Sequence, residues 1–154
     1  MRILIDGDGS PVKEDIFQIS EAFGIEAILV TTMDHYSPRE FPENVQVVYV
    51  DKAPDAVDFK LVQLIKKGDI LVTQDYGLAS IALPKGARVL HQLGYEFTVQ
   101  NIDAFLANRY LGQVARRQGK RTKGPKPFTK LDHDNFGQKL ITMLQDKQLN
   151  ENVS

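Results

Sequence analysis

Residues 2–13 of the chain read Arg-Ile-Leu-Ile-Asp-Gly-Asp-Gly-Ser-Pro-Val-Lys, an apolar run that stops at an acid and continues as a glycine-rich loop. The run at residues 2–5 has the length and composition of a buried strand. Ser10 then fits the cap of a helix, and Pro11 fits its first turn. Apolar residues follow at helical spacing until Gly24, at Val12, Ile16, Ile19 and Phe23. We therefore predict a strand, an acidic loop and a helix, in that order.

The rest of the chain repeats this alternation of strands and helices. Apolar runs predict further strands at residues 25–31, 45–50, 70–73 and 87–90. Helical spacing predicts helices at residues 55–67, which Gly68 closes, and at 78–83, 101–117 and 132–147. In the third of these, Ile102, Phe105, Leu106 and either Tyr110 or Leu111 are expected to face the core. The alternation predicts one α/β domain over residues 1–154, with a mostly parallel sheet covered by helices on both faces.

Composition narrows the class of protein and the kind of metal site. With 154 residues, 42% of them hydrophobic and 25% charged, the chain fits one soluble globular domain. Its apolar runs are too short to cross a membrane, and an acid at position 6 interrupts any leader, so we expect a cytoplasmic protein. The chain has no cysteine and three histidines. A bound metal ion would therefore be held mainly by oxygen, which favours Mg²⁺ or Mn²⁺ over zinc.

Acidic side chains stand where the predicted strands end. Asp6 and Asp8 follow the first strand, Asp75 follows the fourth, and Asp51 follows the third. Parallel strands end at one edge of a sheet, where ligands gather in such folds. Acids brought together there repel one another unless protons or cations intervene. With two more acids at a helix start, they predict a divalent-metal site formed by Asp6, Asp8, Asp55, Asp58 and Asp75.

These residues also have structural alternatives. Asp-Gly pairs favour turns, Asp55 fits a helix cap, and Asp51 fits a simple strand terminus. Three secondary candidates lie at the same edge, namely Ser10, Thr73 and Gln74. Ser10 is better explained as a helix cap than as a metal ligand. Thr73 is better explained as the end of its strand, although its hydroxyl group is also placed to reach a metal-bound water.

A basic stretch separates the last two predicted helices. Residues 109–130 contain no acid, and glycine and proline interrupt their many cations. Such a loop near an acidic metal site suits a phosphate backbone, which predicts nucleic-acid contact through Arg116, Arg117, Lys120, Arg121, Lys123 and Lys126. The alternative is a solvated loop that aids solubility. Phe128 either stacks on a base or packs the last helix onto the body, and we favour packing.

The sequence resembles the YaiI/YqxD family of bacterial proteins at several motifs in the expected order. They are residues 3–13 (ILIDGDGSPVK), 54–58 (PDAVD), 68–75 (GDILVTQD) with Leu78-Ala79 after it, and 116–117 through 124–125. The resemblance implies a PIN-like, Rossmann-like α/β/α fold and a nuclease site dependent on Mg²⁺ or Mn²⁺. We expect RNA rather than DNA as the nucleic acid. The resemblance also implies Asp6, Asp8, Asp58 and Asp75 as the catalytic acids, with Asp55 beside them. Ser10 stands where that family commonly has a cysteine, and a homodimer is left open.

Other functions fit parts of the same sequence. Residues 6–10 (DGDGS) are close to the nucleophile motif of haloacid-dehalogenase-type phosphatases, with Asp6 as nucleophile, Asp8 as acid and base, and Thr31 or Thr32 as the hydroxyl element. However, Gly68-Asp69 precedes a predicted strand, whereas the late acidic motif of those enzymes follows one. Dinucleotide binding is disfavoured because Val12 occupies the third glycine position of its fingerprint. A non-catalytic RNA-binding adaptor would use the basic loop, while the acids would merely bind a structural ion.

Overall fold

A computed structural model describes residues 1–119 and 126–153 of the chain. These residues form six strands, at Arg2–Asp6 (β1), Glu26–Thr32 (β2), Val45–Val50 (β3), Ile70–Val72 (β4), Arg88–Leu90 (β5) and Glu96–Phe97 (β6). The α-helices are Lys13–Phe23 (α1), Ala56–Leu64 (α2), Tyr76–Ala82 (α3), Ile102–Arg117 (α4) and Lys130–Val153 (α5). Two short 3₁₀ turns, Met33–His35 and Leu83–Lys85, extend β2 and α3. In these described ranges, no helix is long and apolar enough to cross a membrane.

The strands form one sheet in the order β3-β2-β1-β4-β5-β6. All neighbours are parallel except β5 and β6, which are antiparallel. The chain moves outward from β1 through β2 to β3, then returns to the other side of β1 for β4 and β5. Sheets wound in two directions leave a crevice at the carboxyl ends of the two strands where the order reverses. Here those strands are β1 and β4.

Helices pack on both faces of the sheet because its central strands are apolar on both sides. On one face Ile3 and Ile5 of β1 pack with residues of α1 and α5, including Ile16 and Leu140. On the opposite face Leu4 packs with residues of α2, α3 and α4, among them Leu61, Leu78 and Ile102. A strand buried on both faces reads as a continuous apolar run, which is how β1 reads in the sequence. The predicted α/β architecture is confirmed at this level.

Several predicted boundaries are wrong. The first helix begins at Lys13, with Val12 at its cap position, and Ser10 does not cap it. The second helix ends at Leu64 rather than Lys67, so Gly68 (φ 90°) lies in the turn before β4 instead of closing the helix. Gly24 does end α1, since its backbone is left-handed (φ 66°) and its N–H bonds to carbonyls of the last turn.

Two further expectations fail at the far side of the sheet. The two-residue strand β6 was absent from the predicted elements; it turns back on β5 and pairs antiparallel with it. Tyr110 and Leu111 of α4 are 63% and 62% exposed, so neither faces the core as expected. Ile102 is buried, whereas Phe105 and Leu106 are partly buried against the same core. Phe128 packs the last helix onto the body as predicted, since it lies against the core beneath α1 and α5 with its ring 4.7 Å from that of His133.

An ion pair closes the amino-terminal edge of the sheet. Arg2 begins β1 and Asp69 directly precedes β4, so the parallel register places them side by side. The Arg2 Nη2 atom donates to Asp69 Oδ2 at 2.7 Å and to the carbonyl of Leu64 at 2.6 Å. The buried Asp69 carboxylate also accepts from the backbone N–H of Lys66 at 2.9 Å. Both oxygens of the Asp69 carboxylate therefore accept from Arg2, and a buried charge requires such partners.

Candidate functional site

A cleft opens at the crevice between β1 and β4, on the carboxyl-terminal edge of the sheet. Its cavity volume is about 520 Å³. Residues from the β1 loop, the start of α2, the β4–α3 loop and the end of β5 line it. The structure brings all five predicted metal-binding acids to this cleft, together with one histidine, as Asp6, Asp8, Asp55, Asp58, Asp75 and His91. Asp51, at the end of β3, is exposed and is not among its lining residues.

Asp6 is the innermost acid of the cleft. Its pKa is raised to about 6, chiefly by burial and to a smaller extent by nearby Asp58, Asp75 and Asp8, in that order. The Thr73 hydroxyl group opposes this shift by donating to Asp6 Oδ2 at 2.7 Å. A carboxylate surrounded by like charges favours a proton or a cation beside it. The acids that strand order brings to this edge therefore also lie close enough to affect the charge of Asp6.

Asp8 accepts hydrogen bonds from residues of β2. Its Oδ1 atom accepts from the Thr31 hydroxyl at 2.6 Å and from the backbone N–H of Thr32 at 3.1 Å, and it lies 3.2 Å from His35 Nδ1. Partial burial works against the charge, but these donors outweigh it, so the pKa of Asp8 lies below its ordinary value. Asp8 thus stays ionised, with its Oδ1 atom committed to β2.

Thr73 ties the loop that follows β4 to the end of β1. While its hydroxyl donates to Asp6, the same oxygen accepts from the backbone N–H of Asp75 at 3.0 Å. The Asp75 carboxylate accepts from the N–H of Leu78 at 3.0 Å and so caps α3. Asp75 is therefore a helix cap as well as a cleft residue. Thr73 itself lies one residue beyond β4, which ends at Val72.

Asp55 and Asp58 enter the cleft from the start of α2. Asp55 occupies the cap position, but its side chain makes no capping hydrogen bond. Its backbone is left-handed (φ 61°), and among the described non-glycine residues it alone has a positive φ. Aspartate tolerates this conformation better than most residues. The capping alternative for Asp55 is therefore wrong, and Asp58, in the first helical turn, faces Asp6 closely enough to raise its pKa.

The secondary candidates lie at the rim. Gln74 is exposed and lines the main cleft. Ser10 lies with Asp6, Asp8 and Gln74 in a narrow adjoining pocket. Its hydroxyl oxygen accepts a long hydrogen bond, 3.4 Å, from the backbone N–H of Val12. The Ser10 N–H donates to the carbonyl of Gly7 at 3.3 Å, so the acidic loop forms its own turn before α1 begins.

His91 is the cleft residue that the sequence reasoning missed. It directly follows β5, the neighbour of β4, and its side chain is only 6% exposed. Burial lowers its pKa to about 4, so the ring is neutral near pH 7. The signal was present, because a polar residue after a predicted strand belongs at the same sheet edge as Asp6 and Asp75.

The oxygen ligands of the cleft suit a hard divalent cation. In the described part of the chain, no group of three or more acids or histidines is arranged to hold a metal ion alone. Mg²⁺ commonly binds through one or two carboxylates and fills its remaining positions with water and substrate phosphate. Asp6 together with Asp58 or Asp75 would supply the two carboxylates, since all three residues line the same cleft.

The basic stretch is described only at its ends. The helix α4 extends to Arg117, whose side chain is exposed, as is that of Lys126. Three of the predicted nucleic-acid-binding residues, Lys120, Arg121 and Lys123, lie outside the described residues. Nucleic-acid contact by this stretch, including by Arg116, stays a prediction.

Comparison with known proteins identifies similar chains in several bacteria. A family model described as "Uncharacterized BCR, YaiI/YqxD family" matches residues 4–146. A UPF0178 protein of Enterococcus faecalis is 57% identical over 145 residues, which cover 94% of this chain and 98% of the relative. Others from Bacillus cereus and Oceanobacillus iheyensis are 51% and 50% identical, over 88% and 90% of this chain and 93% and 94% of theirs. No solved structure matches the chain.

Proposed function

This chain belongs to the YaiI/YqxD family, and within that family we propose that it is a divalent-metal-dependent nuclease with a PIN-like, Rossmann-like fold. The reaction is hydrolysis of a phosphodiester, with RNA as the expected polymer. The observation that carries this proposal is the state of Asp6. A carboxylate whose pKa burial and three neighbouring acids raise to about 6 is poised for a cation at the crevice where such sheets bind ligands.

In this proposal Asp6, together with Asp58 or Asp75, would hold Mg²⁺ or Mn²⁺ in the cleft. The ion, when bound, would lower the pKa of water and stabilise the leaving oxygen of an in-line displacement. Thr73 orients Asp6 and fixes the loop of Asp75 through one hydroxyl group. Asp8 keeps its charge through Thr31 and Thr32 and lines the cleft beside them. The basic stretch would contact the phosphate backbone.

The phosphatase alternative is weaker on two observations. A general acid must give up a proton, whereas the donors around Asp8 hold its pKa below the ordinary value. Asp69, the counterpart of the late acidic motif, is paired with Arg2 at the opposite edge of the sheet. The adaptor alternative makes a different prediction, since neutralising cleft acids would leave RNA affinity unchanged or raise it.

The direct test is cleavage of labelled single-stranded RNA and DNA with and without Mn²⁺. The variant Asp75→Asn keeps an oxygen that accepts from Leu78 N–H, so it preserves the α3 cap while removing a charge. The matched control Asp51→Asn removes a charge at the same edge but outside the cleft. We expect Mn²⁺-dependent cleavage that Asp75→Asn abolishes and Asp51→Asn leaves intact.

A generic phosphomonoester runs in parallel with the polymers. Turnover of the monoester alone would refute the nuclease and support the phosphatase alternative. If RNA binds with the same affinity to the unmodified protein and Asp75→Asn, and neither substrate is turned over, the adaptor alternative is supported and the enzyme is refuted.

A further inference from the structure

A histidine whose orientation is fixed forms part of the cleft wall. His91 follows β5, and its backbone N–H donates to the carbonyl of Tyr95 at 2.9 Å. Its carbonyl accepts from the N–H of Gly94, also at 2.9 Å, which closes the turn between β5 and β6. Gly94 is left-handed (φ 92°), and a Cβ there would meet the carbonyl oxygen of Asn135 at 2.9 Å. The turn that positions His91 is therefore seated against α5.

Aromatic rings hold the imidazole in one plane. The Tyr95 ring stacks on it with centroids 4.3 Å apart and an interplanar angle of 12°. Phe97 contacts it edge-on at 5.8 Å, and Tyr76 lies 6.4 Å away on the cleft side of α3. Burial, and secondarily the nearby Tyr76 side chain, raise the pKa of Tyr95. A ring packed this closely cannot turn freely, so its nitrogens keep fixed directions.

The hydrogen bonds assign the tautomer of His91. Its Nδ1 atom lies 3.0 Å from the backbone N–H of Leu93, which can only donate. Nδ1 therefore accepts, and the single proton of the neutral ring is on Nε2. Within the described part of the chain, Nε2 has no hydrogen-bond partner. It is also not one of the fully buried side-chain polar atoms that lack a partner. A fixed N–H donor thus remains available in a residue that lines the cleft.

A neutral donor suits an acid-lined cleft that must accept an anion. A lysine or arginine at this position would pair with Asp6 or Asp75, and a further carboxylate would repel phosphate. A neutral N–H group avoids both effects while making a charge-assisted hydrogen bond to a phosphate oxygen. We propose that His91 is a substrate-binding residue whose Nε2–H group donates to a non-bridging phosphate oxygen of a nucleic-acid strand in the cleft. This inference rests on the proposed function, because it takes a phosphodiester as the ligand.

Two neutral substitutions separate the donor from the rest of the side chain. His91→Asn keeps an acceptor near the Leu93 N–H group but has no donor at the position of Nε2. His91→Gln reaches that position with an amide N–H, and both variants lose the same ring stacking. We expect His91→Asn to weaken binding of a fluorescent single-stranded RNA by about tenfold or more, and His91→Gln to recover most of the loss. Binding is measured in Ca²⁺ and cleavage separately in Mn²⁺, with thermal melting to confirm folding.

A measurement on the unmodified protein does not depend on either variant folding. Nitrogen-15 NMR of the histidine side chains reports which ring nitrogen is protonated. We expect His91 to carry its proton on Nε2 at pH 7, and the Nε2 resonance to shift when the RNA is added. His133, which pairs with Asp15 between α5 and α1, serves as the internal control that should not move.

The outcomes distinguish this inference from the proposed function. Equal RNA affinity in the unmodified protein and His91→Asn, or an unmoved Nε2 resonance, overturns the role of His91 even if cleavage proceeds. RNA affinity that depends on His91 without cleavage in Mn²⁺ supports the contact and refutes the nuclease. If the unmodified protein binds no RNA, both fall.

Discussion

Two aspartates at opposite ends of strand β1 have contrasting surroundings. At the amino-terminal end, Asp69 is 3% exposed and accepts from Arg2 at 2.7 Å and from a backbone N–H at 2.9 Å. At the carboxyl-terminal end, Asp6 receives one hydroxyl donor, and three further acids surround it. The same residue type in one sheet is thus neutralised at one end and left in a repulsive setting at the other.

The difference distinguishes a charge that stabilises the fold, at Asp69, from a charge that is available to a ligand, at Asp6. Folding alone would favour pairing both acids, since a buried charge without compensation is costly. The sequence supplies a cation for Asp69 and more carboxylates for Asp6. Strained or repulsive arrangements of this kind concentrate where proteins bind ligands and perform chemistry.

The strongest test of the contrast is Asp6→Asn. If the carboxyl-terminal end serves catalysis, this variant should lower Mn²⁺-dependent RNA cleavage by about a hundredfold or more, because a ligand of the metal is lost. It should remain folded, since the substitution removes repulsion. Cleavage rate and urea unfolding are measured on the same preparation. Unfolding of Asp6→Asn would show that both ends of β1 are structural and would break the comparison.

At the other end, Asp69→Ala should act on stability instead. Breaking a buried ion pair typically costs 3–5 kcal/mol. We expect about 3 kcal/mol, because one fifth of the Arg2 side chain remains exposed (20%). The loss is measured by urea unfolding, with Lys52→Ala at an exposed ion pair as the control that should change little. A cleavage rate per folded molecule that fell as far as in Asp6→Asn would contradict the assignment.

The pH dependence of stability should sharpen the same contrast. The pKa of Asp6 is raised from 3.8 to about 6 in the folded state, so between these values the folded protein binds more protons than the unfolded chain. Its free energy of unfolding should therefore fall as pH rises from about 4 to 6 and then level off. We expect the Asp6 contribution to be about 2 kcal/mol, given about 1.4 kcal/mol for each pH unit and partial solvent contact.

This contribution is isolated by comparing the unmodified protein with Asp6→Asn in EDTA. Groups that titrate in both proteins, such as Asp8, largely cancel in the difference. A stability difference that stays flat from pH 4 to 6 would show that Asp6 is solvated like an ordinary surface acid. Added Mn²⁺ should raise the melting temperature of the unmodified protein more than that of Asp6→Asn.

The smallest expected effect concerns the loop beside Asp6. Ser10→Ala should change the free energy of unfolding by less than about 0.5 kcal/mol, because its hydroxyl makes only a long 3.4 Å bond and does not cap α1. Replacing a true helix cap typically costs about 1 kcal/mol. Urea unfolding at neutral pH decides between these values. A loss near that of a lost cap would restore the capping role that the sequence suggested.

The sequence predicted the parts of the fold that depend on local patterns. The strand at residues 45–50 has its predicted bounds, and the acids after β1 and β4 meet as the parallel order requires. The strand β6 could not be found because two residues carry no periodicity. The start of α1 was misplaced because the acidic loop forms its own turn, with Ser10 N–H bonded to Gly7, before the helix begins.

The details of the candidate site depended on contacts between distant residues. The bonds from Thr31 and Thr32 to Asp8 cross from one strand to the next, and no pattern along the chain indicates them. The tautomer of His91 follows from a turn whose shape depends on Gly94 and α5. Sequence reasoning therefore located the edge and its acids, whereas the orientation of each side chain required the fold.

The central position of β1 has a consequence for the order in which the molecule is made. β1 is synthesised first, yet its partnership with β4 joins residues 67 positions apart, as the Arg2–Asp69 pair shows. Closing so long a loop is slow and is entropically opposed until the later strand is available. A nascent chain on the ribosome can pair β1 with β2 early, but it holds Asp6 without Asp75 until the latter has emerged. The complete acid cluster therefore forms only after Asp75 is available, and translation products that end before residue 75 cannot form it.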